Sequence, residues 1–458
     1  MKKPSVLFAI FVAFICCASF SDHDSEVAKP IPIPPSPQRA GDSARGYRYL
    51  TTGDFLKSGF PYDFFIMAKG KSTNHLHRDG KNANVDFGYN VVTNADSIDI
   101  VIPTCMQCHA GIFDGKLIVG LGNSAIDLTD FGSKAKQLAL LKSWKLTAPR
   151  KYNAARALIT SMSAVNPLME PEVRGVNTAD RLAALLVAHR DPQTLAWSDA
   201  PLLNAGATVV PTDVPAWWLL KKKNAMFYNG FGRGDFTRFL MLSNILTVTD
   251  TTEAREVYSH FGDVLAYIRS LQPPPYPQHI DNVLATKGSI VFNNNCSGCH
   301  GTYGAGGGYP NLLVPGSVIQ TDSLLFRSNQ QAKPFIDWFN NSWFAKGPDP
   351  AQLVPGNGYV APPLDGIWVT APYLHNGSVP TIEAVLNSKR RPTYWTRDFN
   401  HPAYDYTHLG WKYETRDKPD GRKVYNTTLP GYGNYGHYFG DKLTDDERKA
   451  VIEYLKTL

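Results

Sequence analysis

Two copies of one short cysteine–histidine pattern constrain this chain more than any other feature. Residues 105–109 read Cys-Met-Gln-Cys-His, and residues 296–300 read Cys-Ser-Gly-Cys-His. Cysteines three positions apart lie about one helical turn from each other. This spacing lets both thiols form thioethers to one porphyrin while the adjacent imidazole binds its iron, as in c-type haem attachment. The expected haem-binding residues are Cys105, Cys108, His109, Cys296, Cys299 and His300.

Either copy alone would also suit a redox-active cysteine pair or a zinc site. Both copies carry the adjacent histidine, and the only other cysteines are Cys16 and Cys17, close to the start of the chain. This combination favours haem over the two alternatives. We therefore expect two covalently bound c-type haems, with His109 and His300 as the proximal iron ligands.

The beginning of the sequence has the pattern of an export signal. Lys2 and Lys3 precede an apolar stretch over residues 6–17, which small and then polar residues follow. This pattern predicts a signal peptide over residues 1–21 and a periplasmic or secreted bacterial protein. An alternative lipid anchor at Cys16 or Cys17 lacks the small preceding residue that it needs. No later segment is apolar over the length of a transmembrane helix.

Composition limits the remaining function classes. The chain has 458 residues, of which 43% are hydrophobic and 19% are charged, and its formal net charge is +6. This is long enough for two ordinary domains and too apolar for a largely disordered chain. The basic run Lys221–Lys223 has only three residues, so we expect no nucleic-acid partner.

The sequence around the two motifs is partly duplicated. Residues 263–271 are similar to residues 450–458, and Thr444–Glu447 has the pattern of a capping box that starts a helix. We expect a mainly α fold with two c-type cytochrome domains in tandem, long loops and little β structure. The expected boundaries are a Pro-rich tether over 22–44, an N-terminal haem domain over 45–272, a Pro-rich linker over 273–279 and a C-terminal haem domain over 280–458.

A second repeated element carries a resemblance to a known family. Phe227–Gly230 has a counterpart in Tyr373–Gly377, which lies within the stretch Thr370–Thr381. That stretch resembles the signature of the bacterial dihaem cytochrome c peroxidases and their relatives. The ending Gly433–Gly440 is most similar to the rubber-oxygenase-like branch. The resemblance implies one haem with a vacant position for the oxidant and a six-coordinate partner that stores or relays electrons.

The second haem needs a distal ligand other than methionine. All seven methionines precede Cys296, and Lys389 stands where the peroxidases place their methionine. The rubber-oxygenase-like proteins imply a distal histidine shortly before the last helix, so we favour His437, although it also suits a surface loop. His375 is expected to hydrogen-bond near the haem edge. The candidates are His375, His401, His408 and His437.

The first haem, by contrast, is expected to be five-coordinate or weakly water-bound. No histidine follows His109 until His189, and His75 and His77 precede the motif in a polar loop. An open iron position activates an oxidant, whereas a closed one passes electrons. No clear acid–base residue for peroxide cleavage is evident in the sequence.

We expect the stretch Trp217–Met241 to line this open pocket. Tyr228 aligns, under the resemblance, with the tryptophan between the two haems of the peroxidases, and we expect it to carry an electron. We interpret Trp217 and Trp218 as core residues. The expected lining residues are Phe227, Tyr228, Phe231, Phe236, Asn229, Arg233 and Asp235.

The resemblance also implies a Ca²⁺ ion between the domains. Thr370 and Pro372 match the positions that contribute oxygen ligands, and a hard cation suits carbonyl oxygens. The alternative interpretation is a plain turn.

The function expected from these features is a dihaem peroxidase-type oxidoreductase. Tyr228, Phe231 and His375 are the expected catalytic residues. Its expected partners are peroxide or dioxygen and an unidentified electron donor or organic substrate. The alternatives are an O₂-dependent oxygenase of the rubber-cleaving kind and a non-catalytic two-haem electron carrier, which the long inserts disfavour.

Overall fold

A computed structural model describes residues 28–129 and 131–458, without the side chains of residues 131–135. The predicted signal peptide and the first part of the predicted tether lie outside these residues. Within them, no helix combines the length and the apolar character that crossing a bilayer requires.

Helices supply most of the regular structure, and several begin at a side-chain cap. The last helix begins at Thr444, whose hydroxyl accepts from the Glu447 backbone while the Glu447 carboxylate accepts from the Thr444 backbone, which confirms the predicted capping box. The α-helices are α1 Ser43–Thr52, α2 Tyr62–Lys69, α3 Met106–His109, α4 Phe131–Thr147, α5 Pro149–Val165, α6 Ala179–Ala188, α7 Phe236–Leu240, α8 Thr251–Ser270, α9 Asn282–Asn295, α10 Ser297–His300, α11 Gly316–Ile319, α12 Leu324–Gln331, α13 Lys333–Asn341, α14 Ile382–Leu386 and α15 Asp445–Leu455.

The strands are short and form small antiparallel sheets of two or three strands. Their orders are β1-β8-β10, β2-β4-β3, β5-β6, β7-β9, β12-β13 and β14-β11-β15. The mainly α expectation is consistent with this structure. The strands are β1 Ile31–Pro32, β2 Phe60–Pro61, β3 Tyr89–Thr93, β4 Asp99–Pro103, β5 Ala110–Phe113, β6 Lys116–Val119, β7 Gly232–Gly234, β8 Leu312–Pro315, β9 Ala351–Leu353, β10 Gly358–Val360, β11 Tyr394–Thr396, β12 Tyr404–Asp405, β13 Gly410–Trp411, β14 Glu414–Thr415 and β15 Tyr425–Asn426.

Two pairs of crossed helices repeat one geometry. Helix α1 packs on α8, and α9 packs on α15. A β-carbon on Gly46 would lie 1.9 Å from the Asp263 carbonyl oxygen, and one on Gly288 would lie 1.8 Å from the Ala450 carbonyl oxygen. Only glycine allows backbones to approach so closely. Because Asp263 and Ala450 begin the two similar segments of sequence, the sequence repeat corresponds to a repeated helix crossing.

From residue 28 onward, the expected Pro-rich tether is part of the folded body. Strand β1 pairs with β8, and Ile33 is buried in a small apolar cluster. The Ile33 backbone N–H donates to the Asn311 carbonyl at 2.9 Å, and its carbonyl accepts from the Asn224 amide at 2.8 Å. Strand pairing and the burial of Ile33 attach this segment to the fold, whereas its proline content had predicted a stiff spacer.

Two large apolar cores meet at a pair of adjacent tryptophans. Trp217 belongs to the core around α1, α8 and the first motif, whereas Trp218 belongs to the core around α9, α15 and Trp368. The Trp218 indole donates to the Asp365 carbonyl at 2.8 Å. Both tryptophans are buried, so they are core residues as expected, and they join the two cores. The division into two haem domains stays a prediction.

Candidate functional site

The first motif forms a single helical turn, and Asn123 hydrogen-bonds to its backbone. The His109 backbone N–H donates to the Cys105 carbonyl at 3.0 Å, which closes helix α3. The Asn123 amide donates to the Gln107 carbonyl, and the Asn123 backbone donates to the Cys108 carbonyl, both at 2.8 Å. No disulfide links the cysteines of either motif.

The His109 imidazole is buried and stacked. Its ring lies 4.8 Å from the Trp217 ring, centre to centre, with 17° between the planes. The Pro215 carbonyl faces the ring, although the geometry at Nδ1 falls short of a formed hydrogen bond. Burial lowers the pKa of His109 to about 4, and the Pro215 carbonyl opposes this shift. The neutral imidazole is the form that binds metals.

A cavity of about 840 Å³ opens at this motif. Cys105, Cys108 and His109 all line it, and most of the remaining wall is aliphatic or aromatic. Cofactor pockets in proteins have this size and character. Together with two cysteines that form no disulfide, the cavity fits a covalently held porphyrin.

Only part of the expected lining stretch reaches this cavity. Phe227 and Phe231 line it, but Tyr228 lies behind its wall. Asp235 instead caps helix α7, and the Arg233 guanidinium donates to the Gly230 carbonyl. The loop over 226–232 turns back on itself, which directs its polar groups away from the cavity. The other expected residues that do not line it are Phe236 and Asn229.

The structure brings polar residues to the wall that the sequence analysis missed. Asn166 and Thr178 line the cavity, are 4% and 1% exposed, and their amide and hydroxyl groups have no hydrogen-bond partner. Asp180 lines it too, and burial raises the pKa of its carboxyl group to about 6. These residues lie beyond the first motif in sequence, and no local pattern marks them.

His109 is the only histidine among the described residues that line the cavity. His75 packs edge-on against Phe87, and neither it nor His77 reaches the wall. The same wall contains three thioether side chains. They belong to Met162, Met169 and Met226.

The second motif repeats the local geometry of the first. The His300 backbone N–H donates to the Cys296 carbonyl at 3.0 Å, which closes helix α10. The His300 Nδ1 atom lies 2.8 Å from the Pro362 carbonyl oxygen. A hydrogen bond at Nδ1 fixes the tautomer and leaves Nε2 for a metal. Burial lowers the pKa of His300, which keeps the ring neutral.

The His437 ring lies close to the His300 ring. The centres of the two rings are 6.1 Å apart, and their planes are inclined by 59°. With metal–imidazole bonds of about 2.0–2.1 Å, two imidazoles on opposite sides of one ion have centres about 6.2–6.5 Å apart. The Nδ1 atom of His437 is buried without a partner, and burial lowers the pKa of the ring to about 3. This pair fits an iron with two imidazole ligands.

The other candidate ligands of the second haem are engaged elsewhere. The His401 side chain is 89% exposed, near Asp398. His408 Nδ1 lies 2.8 Å from an Asp405 carboxylate oxygen. Surface carboxylates therefore hold both rings, which leaves His437 as the ring that faces His300.

The two repeated loops have matching backbones. Phe227 and Leu374 have φ angles of +68° and +66°, and Gly230 and Gly377 have φ angles of +63° and +69°. In each loop the glycine N–H donates to the carbonyl three residues before it. Equivalent positions of the two loops hold Tyr228 and His375.

These two residues have different polar partners. The Tyr228 hydroxyl donates to Asp213 at 2.8 Å. The His375 ring stacks on Tyr359 at 4.1 Å, and its Nε2 lies 3.0 Å from the Tyr359 hydroxyl. Burial lowers the pKa of His375 to about 3. His375 does not line the cavity at the first motif, and its expected role beside the second haem stays a prediction.

The expected Ca²⁺ position has a positively charged side chain beside it. Pro372 and Arg397 line the same small cavity of about 20 Å³. The buried Arg397 guanidinium donates to the Ser124 carbonyl at 2.6 Å, and the Ser124 hydroxyl donates to the Ala371 carbonyl at 3.4 Å. Calcium takes six to eight oxygen ligands, and the positive charge of a guanidinium beside the position disfavours a cation. The expected Ca²⁺ site at Thr370 and Pro372 stays a prediction.

Comparison with known proteins gives one family match. Residues 358–396 match the family described as RoxA-like, cytochrome c-like. This segment contains Pro362, the loop with His375, and Arg391.

Two proteins of Sinorhizobium fredii (strain NBRC 101917 / NGR234) are also similar. The uncharacterized protein y4iJ is 32% identical, over 41% of this chain and 41% of its own length. The uncharacterized protein y4iM is 26% identical, over 57% of this chain and 67% of its own length. The chain thus spans about two fifths of the first relative. A segment of this protein is RoxA-like and cytochrome c-like, and such a domain implies covalently bound c-type haem.

Proposed function

We propose that this chain is an exported dihaem c-type oxidoreductase. Its first half offers an open pocket to peroxide or dioxygen, and its second half stores or relays electrons. The observation that carries the proposal is the unequal surroundings of the two motif histidines. His300 is faced by a second imidazole at 6.1 Å, whereas His109 borders a cavity of about 840 Å³ that no other described histidine lines.

A c-type haem supplies an iron that exchanges single electrons and, where one axial position is open, binds a small oxidant. In the first half, Cys105 and Cys108 would hold the porphyrin and His109 would bind its iron. Trp217 fixes the plane of the His109 ring by stacking. The apolar wall excludes water, which strengthens every electrostatic interaction inside the pocket.

In the second half, Cys296 and Cys299 would hold the porphyrin between His300 and His437. The Pro362 carbonyl orients the His300 ring through Nδ1. With imidazoles on both sides, this half has no open position for an oxidant. An electron-storing role follows from that closure.

The two possible oxidants draw support from different observations. The RoxA-like match and the largely apolar wall favour dioxygen and an oxygenase of the rubber-cleaving kind. Asp180 favours peroxide, because a buried carboxyl group with a raised pKa can act as the general acid–base that O–O cleavage needs. An aerobic oxy-haem spectrum that persists after reduction supports dioxygen, and turnover of peroxide with a reduced donor supports peroxide.

The spin state of each ferric haem in the complete protein tests the unequal coordination. Optical and electron paramagnetic resonance spectra should show one high-spin and one low-spin haem, and mass spectrometry should find both attached covalently. Two low-spin haems would contradict the open pocket and support an electron carrier. In that case the variants Met162→Leu, Met169→Leu and Met226→Leu identify a thioether ligand, since the right one restores a high-spin signal.

Export rests on the pattern of residues 1–21, which lie outside the described residues. We include it in the proposal because c-type haem attachment and a signal-like sequence occur in the same chain. Mass spectrometry of the mature N-terminus tests it. An N-terminus that retains Met1, in protein from the cytosolic fraction, would contradict export.

A further inference from the structure

A carboxylate–phenol pair is connected to the chain segments that contact the two motif histidines. The Tyr228 hydroxyl donates to the Asp213 carboxylate at 2.8 Å. Both side chains are half-buried, and the segment after Asp213 leads directly to Pro215, whose carbonyl faces His109. Asp213 therefore joins Tyr228 to the segment that borders the first motif.

The other side of Tyr228 is joined to the second motif. Its carbonyl accepts from the Val360 backbone N–H at 2.7 Å. Two residues later, the Pro362 carbonyl lies 2.8 Å from the Nδ1 atom of His300. The residue before Tyr228, Phe227, lines the large cavity. Tyr228 thus lies between the pocket wall and the segment that orients His300.

We propose that Asp213 accepts the phenolic proton of Tyr228 whenever Tyr228 gives up an electron, so that the pair forms a proton-coupled relay between the two halves. This inference rests on the proposed dihaem function and adds a named proton acceptor to it. Tyrosine oxidation without proton loss leaves a cation radical, which a half-buried site destabilises. A carboxylate at hydrogen-bond distance removes that charge.

The relay step is balanced in electrons and protons. With haem held at the first motif, an iron oxidised by peroxide or dioxygen would be the acceptor for the one electron that leaves Tyr228. The O–H bond of Tyr228 breaks, and its proton forms an O–H bond on the Asp213 carboxylate. The products are a neutral tyrosyl radical and a protonated Asp213. A haem held at the second motif would supply the electron that restores Tyr228, and the proton would return from Asp213.

The surroundings of Asp213 leave both of its protonation states accessible. Burial raises the pKa of its carboxyl group to about 7, and the Tyr228 hydrogen bond and the positive charge of Arg397 oppose this rise. The negative charge of Asp213 also contributes to raising the pKa of Tyr373 and of Tyr425. The carboxylate can therefore both take and release a proton near neutral pH.

The test follows the reaction of the holoprotein, its second haem reduced, with one equivalent of hydrogen peroxide. Freeze-quenched samples are examined for a tyrosyl radical by electron paramagnetic resonance, and reoxidation of the second haem is followed optically. The variants are Asp213→Asn, Tyr228→Phe and the double variant. Asp235→Asn is the matched control, because Asp235 also accepts from a tyrosine, Tyr258 at 3.1 Å, and does not line the cavity.

Asp213→Asn keeps the shape of the side chain and removes the proton acceptor. In this variant we expect the second haem to be reoxidised roughly 100-fold more slowly, which is the lower end of the effect of losing a positioned acid–base group. Its reoxidation rate should be the same in D₂O as in H₂O. In the wild type, reoxidation should be slower in D₂O than in H₂O, and the tyrosyl radical should appear. Asp235→Asn should behave like the wild type in both measurements. Tyr228→Phe should be equally slow and lose the radical, and the double variant should be no slower than either single variant.

The alternative outcomes separate the two proposals. If Tyr228→Phe slows reoxidation and Asp213→Asn does not, the role of Asp213 is overturned. If neither variant slows it, the Tyr228 relay is overturned, while the spin-state test still decides the proposed function.

Wild-type protein provides a second test, free of folding effects. The rate should fall as the pH falls below about 7, because protonated Asp213 cannot accept a proton. A rate that does not change across this range overturns the inference.

Discussion

The ring centres of His437 and His300 lie 6.1 Å apart, close to the separation that one iron between the two rings would produce. His437 has a φ angle of +49°, in the left-handed region that residues other than glycine adopt infrequently. In this conformation the ring stays next to His300, with its Nδ1 atom buried.

We expect His437→Ala to open the second haem without affecting the first. Loss of one of two imidazoles converts a low-spin iron to a high-spin one, so the optical and resonance spectra should gain a second high-spin component. Added imidazole should restore the low-spin signal. His401→Ala, at an exposed side chain, is the control. An unchanged spectrum in His437→Ala would show that another group binds this iron.

Arg391 is expected to hold the His437 loop in place. Its guanidinium donates to the carbonyls of Asn434 and Gly436 at 2.7 and 2.6 Å, and on the other side to those of Ala384 and Val385. Arg391→Met leaves these carbonyls without their charged donor. We expect a loss of about 2–4 kcal/mol of unfolding free energy and a partial high-spin signal from the second haem.

The neighbouring Arg390 offers a matched control, since its side chain is 62% exposed. Arg390→Met should change the unfolding free energy by less than about 0.5 kcal/mol. Imidazole should rescue the spectrum of Arg391→Met but not its stability. Equal effects of the two substitutions in chemical denaturation would contradict the positioning role of Arg391.

The helix crossing at Gly288 should tolerate no side chain. A β-carbon there would lie 1.8 Å from the Ala450 carbonyl oxygen, and a backbone atom cannot move aside as a side chain can. We expect Gly288→Ala to destabilise the protein by about 3 kcal/mol, at the upper end of overpacking effects. Gly308→Ala, where a β-carbon meets nothing within 4 Å, should be neutral. Thermal unfolding of both variants measures the difference.

Stability should depend on pH through His375. Burial lowers the pKa of its ring to about 3 in the folded protein, whereas an unfolded histidine titrates near pH 6.5. Between these values the unfolded chain binds the extra proton, so stability is lost as the pH falls below about 6.5.

One such group contributes up to about 1.4 kcal/mol per pH unit to this slope. Replacing His375 by Gln should remove that share from the pH dependence of the unfolding free energy, measured with denaturant between about pH 5 and 7. Replacement of the exposed His401 by Gln should leave the slope unchanged. An identical slope in wild type and His375→Gln would contradict the prediction.

Patterns of a few neighbouring residues were enough to predict several features correctly. The capping box at Thr444 has the predicted hydrogen bonds, and the similar segments beginning at Asp263 and Ala450 lie in helices with the same crossing. The repeated loops around Tyr228 and His375 share their backbone angles. Such features depend on spacing along the chain, which the sequence displays directly.

The pocket was less predictable. Phe231 reaches the cavity wall, but Asn229, Arg233 and Asp235 do not, and Asp180 does instead. Which side of a loop faces a cavity depends on how the loop packs against distant segments. A list of residues near a motif cannot supply that information.

The sequence by itself determined where c-type haem can attach, because two cysteines and an adjacent histidine at fixed spacing are a local requirement. Tertiary structure alone decided how the two sites differ. It placed His437 opposite His300, Asp213 on Tyr228, and the Arg397 guanidinium on Ser124, 273 residues away in the chain. Contacts between side chains so far apart in sequence depend on how the whole chain packs, and spacing along the chain does not encode them.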